Sequence, residues 1–323
     1  MLLPRTPGAL SATFALLAAL LWGAGDFSGG MGVKAAGGSV RDALRVILAA
    51  HAMSLIVLLA VLGARHAAWP STAPLLWGLT GGVAGALGLL AFYIALSKGA
   101  MGASAAISGL LAAAIPAAVS SFLEGAPTPL RLGGFLLASV AIWLIAAAPT
   151  PNEHVPALSD PVLASNETTQ TSSIAARRRL LLLAVGGGIG FGFYFVGLRF
   201  ANAAGVVEPM AMARVASLLT CLLLLFVLRT DASATSQGSA GAGRWLGRQA
   251  FFWAIGVAVL DTGGNLFYVA ATRTGRLDAA AVLASLYPAP TILLAALLLR
   301  ERLGRTQVVG MVLAVIAVVL ITR

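Results

Sequence analysis

The chain has 323 residues, 59% apolar and 10% charged, and its 21 Lys and Arg outnumber 11 Asp and Glu for a formal charge of +10. Soluble domains average roughly 45–50% apolar and about 25% charged residues, so a water-soluble globule is excluded: too little polar surface exists to cover it. Nucleic-acid binding is excluded too, because the basic residues fall in short clusters between apolar runs, such as Arg177, Arg178 and Arg179, the pattern of membrane-segment ends.

A hydrocarbon core about 30 Å thick needs roughly 20 helical residues per crossing. Ten segments of about this length are predicted, in order Leu10 to Met31, Ala43 to Leu62, Pro74 to Ser97, Met101 to Phe122, Leu130 to Ala147, Leu180 to Phe200, Pro209 to Leu228, Ala250 to Thr272, Asp278 to Leu299 and Thr306 to Ile321. The first begins like a secretory signal, with Arg5 ahead of Leu16 to Leu21, but it runs on to Met31 and further apolar segments follow. It is therefore expected to be a retained span.

Two polar stretches interrupt the series, Pro149 to Ala176 and Arg229 to Arg248, and neither has the composition of a packed core. The first reads as a flexible linker (residues 149–178) between two five-helix blocks, 1–148 and 179–323. It carries a formal glycosylation sequon at Asn166, a motif short enough to arise by chance.

The two blocks correspond. Lys34 matches Arg199, Arg45-Val46 matches Arg214-Val215, Phe92-Tyr93 matches Phe267-Tyr268, and Glu124 with Gly133 matches Glu301 with Gly310. Five is an odd number, so the second block must enter the bilayer from the opposite face. The expected fold is all-α and integral to the membrane, ten transmembrane helices as two inverted five-helix repeats enclosing a cavity that opens to each side in turn. The face bearing both termini would carry fewer Lys and Arg than the other, which by the positive-inside rule puts the termini outside.

An ionisable group inside a span costs at least about 2.5–3.5 kcal/mol, so each one asks for a reason. In the eighth segment Asp261, Asn265, Tyr268 and Thr272 recur at intervals of four, three and four, on one helical face. They read as a substrate-facing stripe in which Asp261 binds a proton or a cationic group, or else as hydrogen-bonding glue between helices. Asp26, flanked by Gly23, Gly25, Gly29 and Gly30, suits a loosened helix at a binding site, or a carboxylate close enough to the surface to be solvated.

Arg45 and Arg214 occupy matching places early in the second helix of each block. A guanidinium there can clamp an anionic substrate, pair with Asp26 or Asp261, or snorkel to the interface. Trp22, Tyr93, Tyr268 and Tyr287 can line a cavity or serve as packing and interfacial anchors. Pro288 and Pro290 in the ninth segment and Pro116 in the fourth free backbone carbonyls and kink helices. Glu124 and Glu301 read as structural, Glu301 pairing with Arg302 or Arg305.

Cys221 is the only cysteine, and His51, His66 and His154 are scattered, so neither a disulfide nor a metal site is expected. No cofactor is implied.

Leu21-Trp22-Gly23, Arg45, the stretch Leu260 to Tyr268, Ala279 to Val282, Tyr287-Pro288, Arg300-Glu301-Arg302-Leu303 and Gly310 together resemble the EamA-like transporters of the drug/metabolite transporter superfamily. Gly125-Ala126-Pro127 departs from the Arg-Leu that usually follows the first glutamate. The resemblance implies a ten-helix exporter or exchanger of small metabolites with both termini cytoplasmic, against the charge distribution. The sequence thus predicts a non-enzymatic secondary transporter of amino acids or drugs in the plasma membrane, with proton coupling, as monomer or homodimer. A membrane-embedded enzyme acting on a lipid-linked substrate would need clustered Asp, His or metal-binding motifs, which are missing. A passive facilitator is the remaining alternative.

Overall fold

The computed structural model describes residues 7–65, 71–97, 101–146, 167–233, 246–298 and 303–322. Among them there are helices and short connections and no strand. The helices are α1 (Pro7–Ala36), α2 (Val40–Arg65), α3 (Thr72–Ser97), α4 (Met101–Leu123), α5 (Pro129–Ala146), α6 (Glu167–Ala201), α7 (Val207–Ser233), α8 (Arg248–Thr274), α9 (Leu277–Ala284), α10 (Pro288–Leu298) and α11 (Arg305–Thr322). Eight spans, α9 and α10 counting together as one, are long and apolar enough to cross a bilayer, and Ile107–Leu123 and Pro129–Ile145 are shorter apolar helices. The molecule is an all-helical integral membrane protein.

α6 begins at Glu167, upstream of the expected Leu180, so helix runs into the stretch read as linker. Residues 147–166, with Asn166 and His154, lie outside the described residues, as do His66, Glu301 and Arg302.

Local chemistry sets the turns. α1 ends where Gly37 and Gly38 take φ of 124° and 78°. The Gly38 amide donates to the Val33 carbonyl at 2.9 Å and the Gly37 amide to that of Lys34 at 3.3 Å, the two bonds of a Schellman motif. Ser39 then caps α2: the Asp42 amide donates to Ser39 Oγ at 3.1 Å, while Asp42 Oδ2 accepts from the Ser39 amide at 3.2 Å, a capping box with aspartate in the third position.

The ninth span breaks over Ser285 to Tyr287 because Pro288 and Pro290 lack amide hydrogens. The carbonyls of Ala284 and Leu286, left without their usual donors, accept instead from the Tyr287 and Ala289 amides at 3.3 and 3.0 Å.

Helix pairing runs crosswise. α1 packs most extensively on α8, α3 on α6, α2 on α7 and α5 on α11, so every principal partner comes from the other block. In lipid no hydrophobic force drives helices together, and close approach of small residues replaces it. A Cβ on Gly190 of α6 would stand 2.7 Å from both the Ala84 carbonyl and Gly88 Cα of α3, and one on Gly197 would stand 2.9 Å from Gly81 Cα. At the α5–α11 contact the matching glycines are Gly134, against Ile321, and Gly310, against Ile145, whereas Gly133 faces open space. Large apolar side chains such as Ile56, Leu223, Phe226, Val259 and Val315 are exposed, which is the surface a bilayer covers.

Candidate functional site

Between the crossed helices lies a cavity with about 550 Å³ of atom-free space, part of it continuous with the outside. α1 contributes Trp22 and Asp26, α2 His51, α3 Gly82, Gly85, Ala86 and Leu89, and α6 Phe191, Tyr194 and Phe195. α7 adds Arg214 and Ser217, α8 Asp261 and Asn265, and the break in the ninth span adds Tyr287. Both blocks therefore line it.

A buried polar network forms one wall. Arg214 pairs with the Asp261 carboxylate; its Nε donates to Ser54 Oγ at 3.0 Å and one terminal nitrogen to His51 Nε2 at 2.9 Å. Arginine only donates, which fixes the histidine tautomer. His51 Nε2 must accept, so its hydrogen is on Nδ1 and donates to Ser217 Oγ at 2.6 Å. Ser54 Oγ accepts from Arg214 and shares a further hydrogen bond with Thr262 Oγ1 at 2.6 Å. His51 Nε2 also stands 3.7 Å from Asp261 Oδ2. One charge pair thus ties α2, α7 and α8, and each nitrogen of Arg214 already has a protein acceptor. With its side chain 4% exposed, this arginine has no fork to offer an anionic ligand; of the readings open from sequence, the arrangement is the pairing with Asp261.

Asp26 differs. It lines the cavity, is only partly buried, and no described residue hydrogen-bonds or ion-pairs with it. Asn265 donates through Nδ2 to the Asp261 backbone carbonyl at 2.7 Å, which leaves its buried Oδ1 unpartnered; the buried Tyr287 hydroxyl is unpartnered as well. Trp22 stacks on Phe195 with centroids 4.8 Å apart and planes 5° from parallel.

Of the residues singled out from sequence, the structure brings Trp22, Asp26, Arg214, Asp261, Asn265 and Tyr287 around one space. Three others lie elsewhere. Arg45 is at the start of α2, partly exposed and paired with Asp42 at 3.3 Å. Tyr93 is buried with its hydroxyl against Gly29 of α1. Tyr268 is fully buried behind the cavity wall, 4.6 Å from Phe195 and 5.5 Å from Trp22 between centroids. Thr272, on the same stripe, accepts from the Asn202 amide at 3.2 Å. His51, Ser54, Ser217 and Thr262 belong to the site although sequence reasoning passed over them. Among the described residues no three His, Cys, Asp or Glu converge as a metal would require.

A second polar cluster closes one end of the bundle. Glu124 at the end of α4 accepts from Arg199 of α6 at 3.2 Å, from Ser120 at 2.9 Å and from the Leu277 amide at 3.0 Å. Arg276, paired with Asp278, donates to the Glu124 and Gly125 carbonyls at 2.8 and 2.7 Å.

No curated protein matches this chain. A solved structure described only as "Crystal structure of protein" shares the fold, with a TM-score of 0.66 at 16% identity over 97% of this chain and 98% of that one. The sequence model of the EamA-like transporter family matches residues 178–323, a range spanning the second block with its Arg214, Asp261 and Tyr287. Over that second block the chain is similar to the EamA-like transporter family of the drug/metabolite transporter superfamily.

Proposed function

We propose that this chain is a secondary active transporter, an exporter or exchanger of small metabolites such as amino acids or drugs, acting in the plasma membrane. It works by alternating access about an inverted pair of five-helix repeats, residues 1–148 and 179–323, joined through 149–178. The observation that carries the reading is the cavity lined by both blocks and holding costly ionised groups, the setting in which transporters place substrate and coupling sites. Because α1 packs on α8 and α3 on α6, the moving bodies are mixed bundles, one built around α1 and α8 and one around α3 and α6, not the two sequence halves. Asp261 is committed to Arg214, so proton coupling falls to Asp26.

The test is flux in proteoliposomes carrying an internal pH dye. A transported solute should accumulate against its gradient when a pH gradient is imposed and move protons as it does so, and Asp26→Asn should uncouple the two. Flux that stops at equal concentrations despite the pH gradient would make the protein a facilitator, and recovery of a chemically altered solute would make it an enzyme.

A further inference from the structure

The chemistry of the cavity narrows the substrate, given the transport reading above. Its lining contains two carboxylates, Asp26 and Asp261, and one guanidinium, Arg214. His51, an acceptor to arginine at Nε2, is neutral. When Asp26 is ionised one negative charge is left over, since Asp261 and Arg214 neutralise each other.

An anionic ligand would meet that surplus with no free arginine to offset it. A neutral ligand would leave Asp26 without a countercharge, so that the site could hold it only by taking up a proton as well. A bare metal ion would find too few acidic ligands. An organic cation meets every condition: Asp26 supplies the countercharge, and the unpartnered Asn265 Oδ1 and Tyr287 hydroxyl, both buried in the lining, supply two more acceptors. Three acceptors match the three N–H groups of a primary ammonium. The remaining wall is Trp22, Phe191, Tyr194 and Phe195, and π faces attract cations and stack on flat rings.

We propose that the cavity binds small aromatic primary amines, with Asp26 as counterion, Asn265 and Tyr287 as orienting acceptors and the stacked Trp22–Phe195 pair as the wall for the ring. Zwitterionic amino acids are discriminated against, because their carboxylate meets the Asp26 charge with no free guanidinium to offset it.

The test uses the purified full-length protein in detergent and three indoles of nearly equal size: tryptamine, the neutral tryptophol and the zwitterionic tryptophan. Tryptamine should bind at least tenfold more tightly than either of the others. Asp26→Asn should remove that preference by weakening tryptamine, and Tyr287→Phe should weaken tryptamine by a smaller factor. Each variant is checked for an unchanged melting profile; should Asp26→Asn misfold, Tyr287→Phe and Asp26→Glu carry the comparison, Asp26→Glu retaining the preference. Tryptophan binding as tightly as tryptamine, or tryptamine binding unaffected by the loss of the Asp26 charge, overturns the proposal. Proteoliposome flux separates the two claims. Tryptamine that binds through Asp26 but is never translocated keeps the ammonium site and removes the transporter, whereas a solute that is carried with no dependence on Asp26 keeps the transporter and removes the ammonium site.

Discussion

Replacing Arg214 by Met tests the polar network most severely. The change keeps the volume of the stem but strips the charge, so Asp261, with its side chain 23% exposed, keeps only the longer 3.7 Å approach of neutral His51. Ser54 and His51 each lose a donor at about hydrogen-bond distance. Removing one partner of a buried pair costs about 3–5 kcal/mol. The informative quantity is the coupling in a double-mutant cycle with Asp261→Asn, because Asn in a site without arginine carries no charge to desolvate. Neutral hydrogen bonds between membrane helices couple by about 0.6 kcal/mol on average and about 1.7 at most, while contacting residues in one ionic network reach about 3 kcal/mol. We expect about 2–3 kcal/mol, read from SDS-unfolding free energies of the wild type, both single variants and the double variant. A coupling at or below about 0.6 kcal/mol would mean that the pair is no stronger than an ordinary interhelical contact, and the account of Arg214 as the knot joining α2, α7 and α8 would fall.

Two glycines of one run should respond oppositely to alanine. Gly190→Ala drives a methyl toward the α3 backbone and should cost about 1–3 kcal/mol or more, whereas Gly186 has nothing within 4 Å and Gly186→Ala should be neutral or stabilising by up to about 1 kcal/mol from helix propensity; equal effects in SDS unfolding would refute the α3–α6 contact. Glu124→Ala leaves Arg199 and the Leu277 amide without their acceptor and should lower stability by about 1–3 kcal/mol, measured in the same assay. Glu124→Gln, which keeps an acceptor for Leu277, should cost less.

Segment length and apolar composition suffice for the spans, since a bilayer imposes its thickness on every crossing, and the predicted ends fall within a few residues of most observed ones. The interior of the site was harder to read. His51 sits in sequence among apolar residues of α2 and looks isolated; its partners, Ser217 and Arg214, are 166 and 163 positions away. Nothing local reports them.

The repeat alone does not separate Arg45 from Arg214. Three residues before Arg45 stands Asp42, which satisfies it within its own helix turn, while the place corresponding to Asp42 in the second block is Ala211. Lacking a local acid, Arg214 turns inward to Asp261. That difference was visible in the sequence and is the signal that separates the two arginines. A related asymmetry runs through the cavity. By the spacing that matches Lys34 with Arg199, Asp26 falls opposite Phe191, and by the spacing that matches Phe92 with Phe267, Asp261 falls opposite Ala86. All four residues line the same space, and at each matched position one copy carries a charge and the other does not, a difference in surroundings that only the assembled fold reveals.

The crosswise pairing also governs how the protein comes into being. α1 precedes α8 in the chain, yet its main contact surface is supplied by α8, which begins at Arg248. At roughly 5–20 residues per second of synthesis, α1 waits on the order of 10–50 s in the bilayer before that neighbour emerges. Throughout that interval Asp26 resides in an unfinished bundle, so assembly depends on insertion machinery or lipid headgroups tolerating a lone carboxylate until the late helices arrive to enclose it.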